Sequence, residues 1–155
     1  MGFLTVATIT LFVSILVGVM IILWYWFRGG RKVGTINEII EKTLAFKPFR
    51  KYSMEVDYQI GLATYLQGLF KDVKIEDTRG DSRPDIVVNR NFAVEIKGPT
   101  GMQDLRTLPD KAMRYLQHFD NLVFVLFDVQ INKEELNKYL SLLKDTFPTA
   151  YVIVK

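Results

Sequence analysis

From residue 2 to residue 27 the chain carries no charged side chain. An apolar run of that length is enough for a helix to cross a hydrocarbon core of about 30 Å. It closes on Leu23-Trp24-Tyr25-Trp26-Phe27, aromatic side chains suited to the membrane interface. Arg28, Arg31 and Lys32 follow at once, which by the positive-inside tendency places what comes after in the cytoplasm. A cleaved signal peptide would show the opposite order: a basic start, a shorter apolar region and a small-residue cleavage site. The expectation is a single-pass anchor in the cell membrane over residues 1–27 and a basic, glycine-containing linker over 28–34. A cytoplasmic domain over 35–155 then follows.

Beyond the linker the periodicity changes repeatedly. Thr35-Ile36-Asn37-Glu38 reads as a capping box opening a helix to about Phe46, which Lys47-Pro48-Phe49 ends. A second helix is expected from Ser53 to about Phe70, with Tyr58, Leu62, Tyr65, Leu66 and Leu69 as its apolar stripe. Strands follow over about 73–77, 85–89 and 92–97; Thr78 to Ser82 is turn-rich, and Asn89-Arg90-Asn91 makes a tight link. A loop from Gly98 to Gly101 leads to a helix over about 108–119. The apolar run 122–129 marks a strand buried on both faces. Asn132 and Glu135 cap a helix to about Phe147, and 150–154 closes as a strand. The order α-α-β-β-β-α-β-α-β, a meander followed by helical crossovers, implies an α/β fold with a mixed central sheet flanked by helices.

Composition narrows the function classes. At 155 residues the chain has room for one domain with a substantial core. Its 20 basic and 17 acidic residues give +3, too mild a charge to diagnose nucleic-acid binding alone. Without a cysteine there is neither a disulfide framework nor a thiolate metal site. The single histidine, His118, lacks a partner for metal or proton chemistry and reads as a helix-end contact.

The stretch that speaks of chemistry runs from Pro84 to Lys97. Alternation along a strand sets Phe92, Val94 and Ile96 on one face and Ala93, Glu95 and Lys97 on the other. Two carboxylates, Asp85 and Glu95, then stand on adjacent strands with a lysine beside them. Hydrolysis of a phosphodiester needs an activated water and a counter-charge for the phosphate oxygens. Mg²⁺ supplies both and prefers one or two carboxylates plus waters. Neighbouring carboxylates raise each other's pKa unless a cation relieves them.

Pro84-Asp85, followed after nine residues by Glu95-Ile96-Lys97, resembles the PD-(D/E)xK nuclease superfamily, the restriction-endonuclease-like fold. The likeness covers residues 52–129, where a helix, a three-stranded meander, a crossover helix and a further strand follow in that superfamily's order. Glu55 matches the acid that many members carry on the first core helix. Glu95-Ile96-Lys97-Gly98 is similar to the Mrr-like and archaeal Holliday-junction-resolvase-like branches. The resemblance implies Mg²⁺ or Mn²⁺ held by Asp85 and Glu95, with Lys97 as the activating cation and Glu55 as an auxiliary metal or water contact. It further implies DNA as substrate, RNA as the other candidate, and pairing of two copies to cut two strands. Some branches carry a Gln and a Tyr on the helix after the motif. Here Lys111, Tyr115 and Gln117 are available at a different spacing.

Plainer readings stand beside these. Glu95 and Lys97 can form an ion pair on a solvated strand face, Asp85 can be a turn acid after Pro84, and Glu55 can be favourable charge in a helix's first turn. A catalytically silent copy of the fold would serve as a membrane-tethered binding module instead. A membrane-complex subunit with a charged head would leave Glu95 and Lys97 far from Asp85 and Glu55.

Overall fold

The computed structural model describes residues 15–20 and 33–155. Residues 15–20 are helical, and the rest of the expected anchor lies outside the described residues. Among the described residues no helix is long and apolar enough to cross a membrane. The chain divides between Lys32 and Val33, and the second unit holds the sheet.

That unit is built from α1 (Ile36–Ala45), α2 (Glu55–Leu69), β1 (Val73–Ile75), β2 (Ile86–Val88), β3 (Phe92–Lys97), α3 (Met102–Tyr115), β4 (Asn121–Leu126), α4 (Lys133–Thr146) and β5 (Ala150–Val154). The order is the one the periodicity predicts. Thr35 and Glu38 form a reciprocal capping box at α1, and the Asn132 side chain accepts from the Glu135 amide at α4. These bonds satisfy amides that a helix start leaves without partners.

Two helix starts differ from expectation. The cap of α2 is Met54 rather than Ser53, with no side-chain bond to close it. The third helix opens at Met102 and ends at Tyr115, not over 108–119. Asp104 accepts from the Gly101 amide at 2.7 Å, so the turn before Pro109 is already helical. Pro109 then lies inside the helix.

The sheet runs β1-β2-β3-β4-β5. The first three strands pair antiparallel and the last two join in parallel, with α3 and α4 as the crossovers that parallel pairing needs. Alternation sorts the sheet into two cores. Val94, Ile96, Val123 and Val125 pack with Tyr58, Leu62 and Leu66 of α2 and Ile39 of α1. Ala93, Leu122, Phe124 and Leu126 pack with Leu105, Leu108 and Ala112 of α3 and Leu143 of α4. Leu122 through Leu126 of β4 are all fully buried, as an apolar run covered on both faces should be. Each such side chain contributes about 1.5–3 kcal/mol by leaving water.

This layering positions the chemistry. Ile86 pairs with Val94 in antiparallel register, so the next residues outward, Asp85 and Glu95, come opposite each other. Both sit where β2 begins and β3 approaches its end, beside the start of α2.

Candidate functional site

Glu95 is the centre of the cluster and has no exposed surface. The Lys97 ammonium lies 3.1 Å from its Oε1, and the Lys111 ammonium binds the same oxygen. The Tyr115 hydroxyl is 3.1 Å from Oε2 and 3.0 Å from the Arg83 carbonyl. A buried carboxylate without partners is prohibitively costly. Here both oxygens are met, one of them by two cations.

Lys97 is 7% exposed and links β3 to α2. Its ammonium donates to the Ile96 carbonyl and to Glu55 Oε1, each at 2.9 Å. Burial works against its charge, but Glu95 and Glu55 outweigh that and raise its pKa. Thr100, fully buried, sets its hydroxyl between the carbonyls of Lys97 and Phe127. That bond fixes the chain just past β3, and with it the origin of the lysine.

Asp85 Oδ2 accepts from the Ile96 amide at 2.6 Å, and the Gln59 side-chain amide donates to the Asp85 carbonyl at 3.3 Å. Burial pushes the Asp85 carboxyl up to about 7, and the neighbouring Glu95 charge pushes in the same direction. The Ile96 amide and Lys97 oppose the rise without cancelling it. Tyr115 is likewise raised by burial and then by Glu95.

All four residues singled out in the sequence therefore meet. Lys97 joins Glu55 to Glu95, and Asp85 is electrostatically coupled to Glu95 across the strand pair. The solvated-face reading of Glu95 and Lys97 fails on their burial. The charged-head reading, which separates these residues, fails on the same distances. One partner, Gln59, escaped the sequence reading of the site, and for two residues named there as available, Lys111 and Tyr115, the structure supplies the contact. Gln59 stands one turn beyond Glu55. Lys111 and Tyr115, four residues apart on one face of α3, both reach Glu95, whereas Gln117 is exposed. The signal for Lys111 is its place on a face otherwise made of Leu108, Ala112 and Tyr115, all buried.

Among the described residues no group of three or more His, Cys, Asp or Glu side chains is arranged to hold a metal ion. The available donor set is the Asp85–Glu95 pair, with Glu55 linked to it through Lys97. Two all-oxygen donors fit a cation that keeps most of its waters, as Mg²⁺ does, and do not make a closed cage. The fit rests on the register that sets Asp85 opposite Glu95: a divalent cation between them would relieve the repulsion that, after burial, raises the Asp85 carboxyl.

Comparison with protein-family models, with curated proteins and with solved structures returns no match.

Proposed function

We propose that the domain is a metal-dependent nuclease of the PD-(D/E)xK type, hydrolysing phosphodiester bonds in nucleic acid, with DNA as the first candidate. The observation that carries this reading is the meeting of Asp85, Glu95 and Lys97 at the junction of β2 and β3. In this reading Asp85 and Glu95 hold Mg²⁺ or Mn²⁺. When bound, such a cation lowers the pKa of a coordinated water and offsets charge on the phosphate.

The chain's own residues do the rest. Lys97, held by Glu55 and Glu95, presents a fixed positive charge where the attacking water and the phosphate oxygens meet. Lys111 shares Glu95 and supplies a second cation at the same point. Tyr115 orients Glu95 through its other oxygen, so the carboxylate cannot swing away. Glu55 positions Lys97 and, being partly exposed, is free to meet solvent.

The apolar run 2–27 and the basic residues behind it support a membrane tether, which would confine cutting to nucleic acid near the inner membrane face.

The test is cleavage of a supercoiled plasmid and of an RNA transcript with Mg²⁺, Mn²⁺ or EDTA. Activity that needs the metal and vanishes in Asp85→Asn, Glu95→Gln and Lys97→Met supports the proposal. A folded protein that binds neither Mn²⁺ nor Mg²⁺ by calorimetry and cuts nothing would make it a silent module instead.

A further inference from the structure

The loop between α1 and α2 carries an exposed aromatic that packing does not explain. Phe49 is 97% exposed. Single exposed apolar residues are ordinary, but this one stands in Lys47-Pro48-Phe49-Arg50-Lys51, among three cations. The loop is also tied down at both ends. Phe46 is buried, with its ring 6.2 Å from Phe127 and 5.4 Å from Tyr65, and its carbonyl accepts from Lys155 at 2.7 Å. At the other end the Tyr52 amide donates to the Tyr58 hydroxyl at 2.8 Å, and the two rings meet edge to face at 4.9 Å. Lys51 pairs with Asp128 at 2.7 Å, and the Arg50 guanidinium lies 5.7 Å from the Tyr52 ring centre. The tip is thus presented by fixed supports.

One of those supports, Tyr58, lies on the helix that carries Glu55. Tyr58 stands one helical turn beyond Glu55, and Glu55 holds Lys97. Phe49 and Glu55 are six positions apart in the chain, so the tip lies no more than about 21 Å from Glu55, a distance that a few nucleotides of one strand can span.

We infer that Phe49, with Lys47 and Arg50, is a docking point for an unpaired nucleic-acid strand leading into the site. The inference rests on the nuclease reading and sharpens its substrate class. An aromatic face stacks on an exposed base whatever its identity, while basic neighbours follow the phosphates. A base inside a duplex offers no free face, so the contact selects single-stranded or frayed nucleic acid. Exposed aromatic and basic residues also suit a lipid headgroup layer. The short chain distance from Phe49 to Glu55 at the candidate site favours the strand.

The experiment measures binding by the full chain in detergent micelles, with EDTA present so that nothing is cut. Fluorescence anisotropy follows a labelled oligothymidylate of about twelve nucleotides and a blunt duplex of the same length. Phe49→Ala is expected to weaken strand binding about tenfold and to change duplex binding less than about twofold, with Phe49→Trp restoring the loss. Because Phe49 packs on so little, the variants keep their fold. Equal affinity of Phe49→Ala and wild type for the strand overturns the inference, as does an equal loss for strand and duplex. The absence of cysteine allows a fluorophore at Ser53→Cys. Quenching by added strand supports the docking point. Quenching instead by lipid-borne quenchers in reconstituted vesicles, with no effect of strand, assigns the loop to the membrane and overturns it. A protein whose metal-dependent cleavage survives while Phe49→Ala changes nothing retains the proposed function and loses only this contact.

Discussion

Asp85 offers the sharpest test of the site, because its carboxyl is pushed up from 3.8 to about 7 by burial and by Glu95. An acid whose pKa is higher folded than unfolded favours the folded state while it is protonated. Its contribution is complete below about pH 4 and falls as pH rises toward 7, levelling off above. The interval corresponds to about 4 kcal/mol, a large share of the roughly 5–15 kcal/mol that holds a domain together. The Asp85→Asn isostere removes the charge and keeps an oxygen to accept from the Ile96 amide. Urea denaturation of the Val33–Lys155 unit, which contains both cores, gives the comparison in EDTA between pH 4 and 8. With a slope near 2 kcal/mol per molar, the variant should equal wild type near pH 4 and exceed it by up to about 2 M in midpoint at pH 8. Groups remote from Asp85 contribute alike to both proteins and cancel in the difference. Mg²⁺ at a hundred times its dissociation constant should return about 2.7 kcal/mol to wild type at pH 8 and nothing to the variant. Parallel pH profiles in EDTA would refute the reasoning, because Asp85 would then carry no penalty for Asn to relieve.

Lys97→Met strips one of two cations from the buried Glu95 and is expected to cost about 3 kcal/mol. A double-mutant cycle with Lys111→Met should show strong coupling, since each lysine compensates for the other; additive losses by urea denaturation would deny the shared role. Gly98→Ala would place a methyl 2.8 Å from the Phe127 Cβ and 3.1 Å from the Tyr58 ring. It is expected to lower the stability measured by urea denaturation by about 1–3 kcal/mol and to weaken catalysis by moving the segment after Lys97. Deleting residues 1–32 should move the protein from the membrane to the supernatant fraction while leaving plasmid cleavage per molecule unchanged; persistence at the membrane would point to another attachment.

What the sequence disclosed depended on how local each feature is. The split of β3, with Val94 and Ile96 on one core and Ala93 on the other, follows from period two and was legible at once. So was the order of elements, because each change of period is written within a few residues. Asp85, Glu95 and Lys97 were legible because two adjacent strands joined by a short link leave little freedom of register. Lys111 was not. On a helix a lysine looks like solvated surface, and only the crossover packing of α3 on β3 brings it to Glu95. The start of α3 was hidden by Pro109, since the Asp104 bond to the Gly101 amide leaves no signal as strong as proline. The Glu95 contribution to the Asp85 shift was legible from the strand pair, whereas the larger part, burial, had no local signal.

The charges at the site complete the argument. Three carboxylates, Glu55, Asp85 and Glu95, face two lysines, Lys97 and Lys111. With every acid ionised the cluster is one positive charge short of neutral, and the deficit sits on its least solvated pair. A stable ion-pair network built only to hold a fold would have no reason to carry that deficit, since burying an uncompensated charge is among the costliest things a core can do. Two events close it: a proton on Asp85, or a divalent cation shared between Asp85 and Glu95. The first predicts a site that is most stable when acid and empty. The second predicts one that takes up metal more tightly as pH rises past 7, releasing a proton from Asp85 as it does so. A purely structural cluster gives only the first, so proton release on Mn²⁺ binding, read by calorimetry in buffers of different ionisation enthalpy, separates a metal site from a salt bridge.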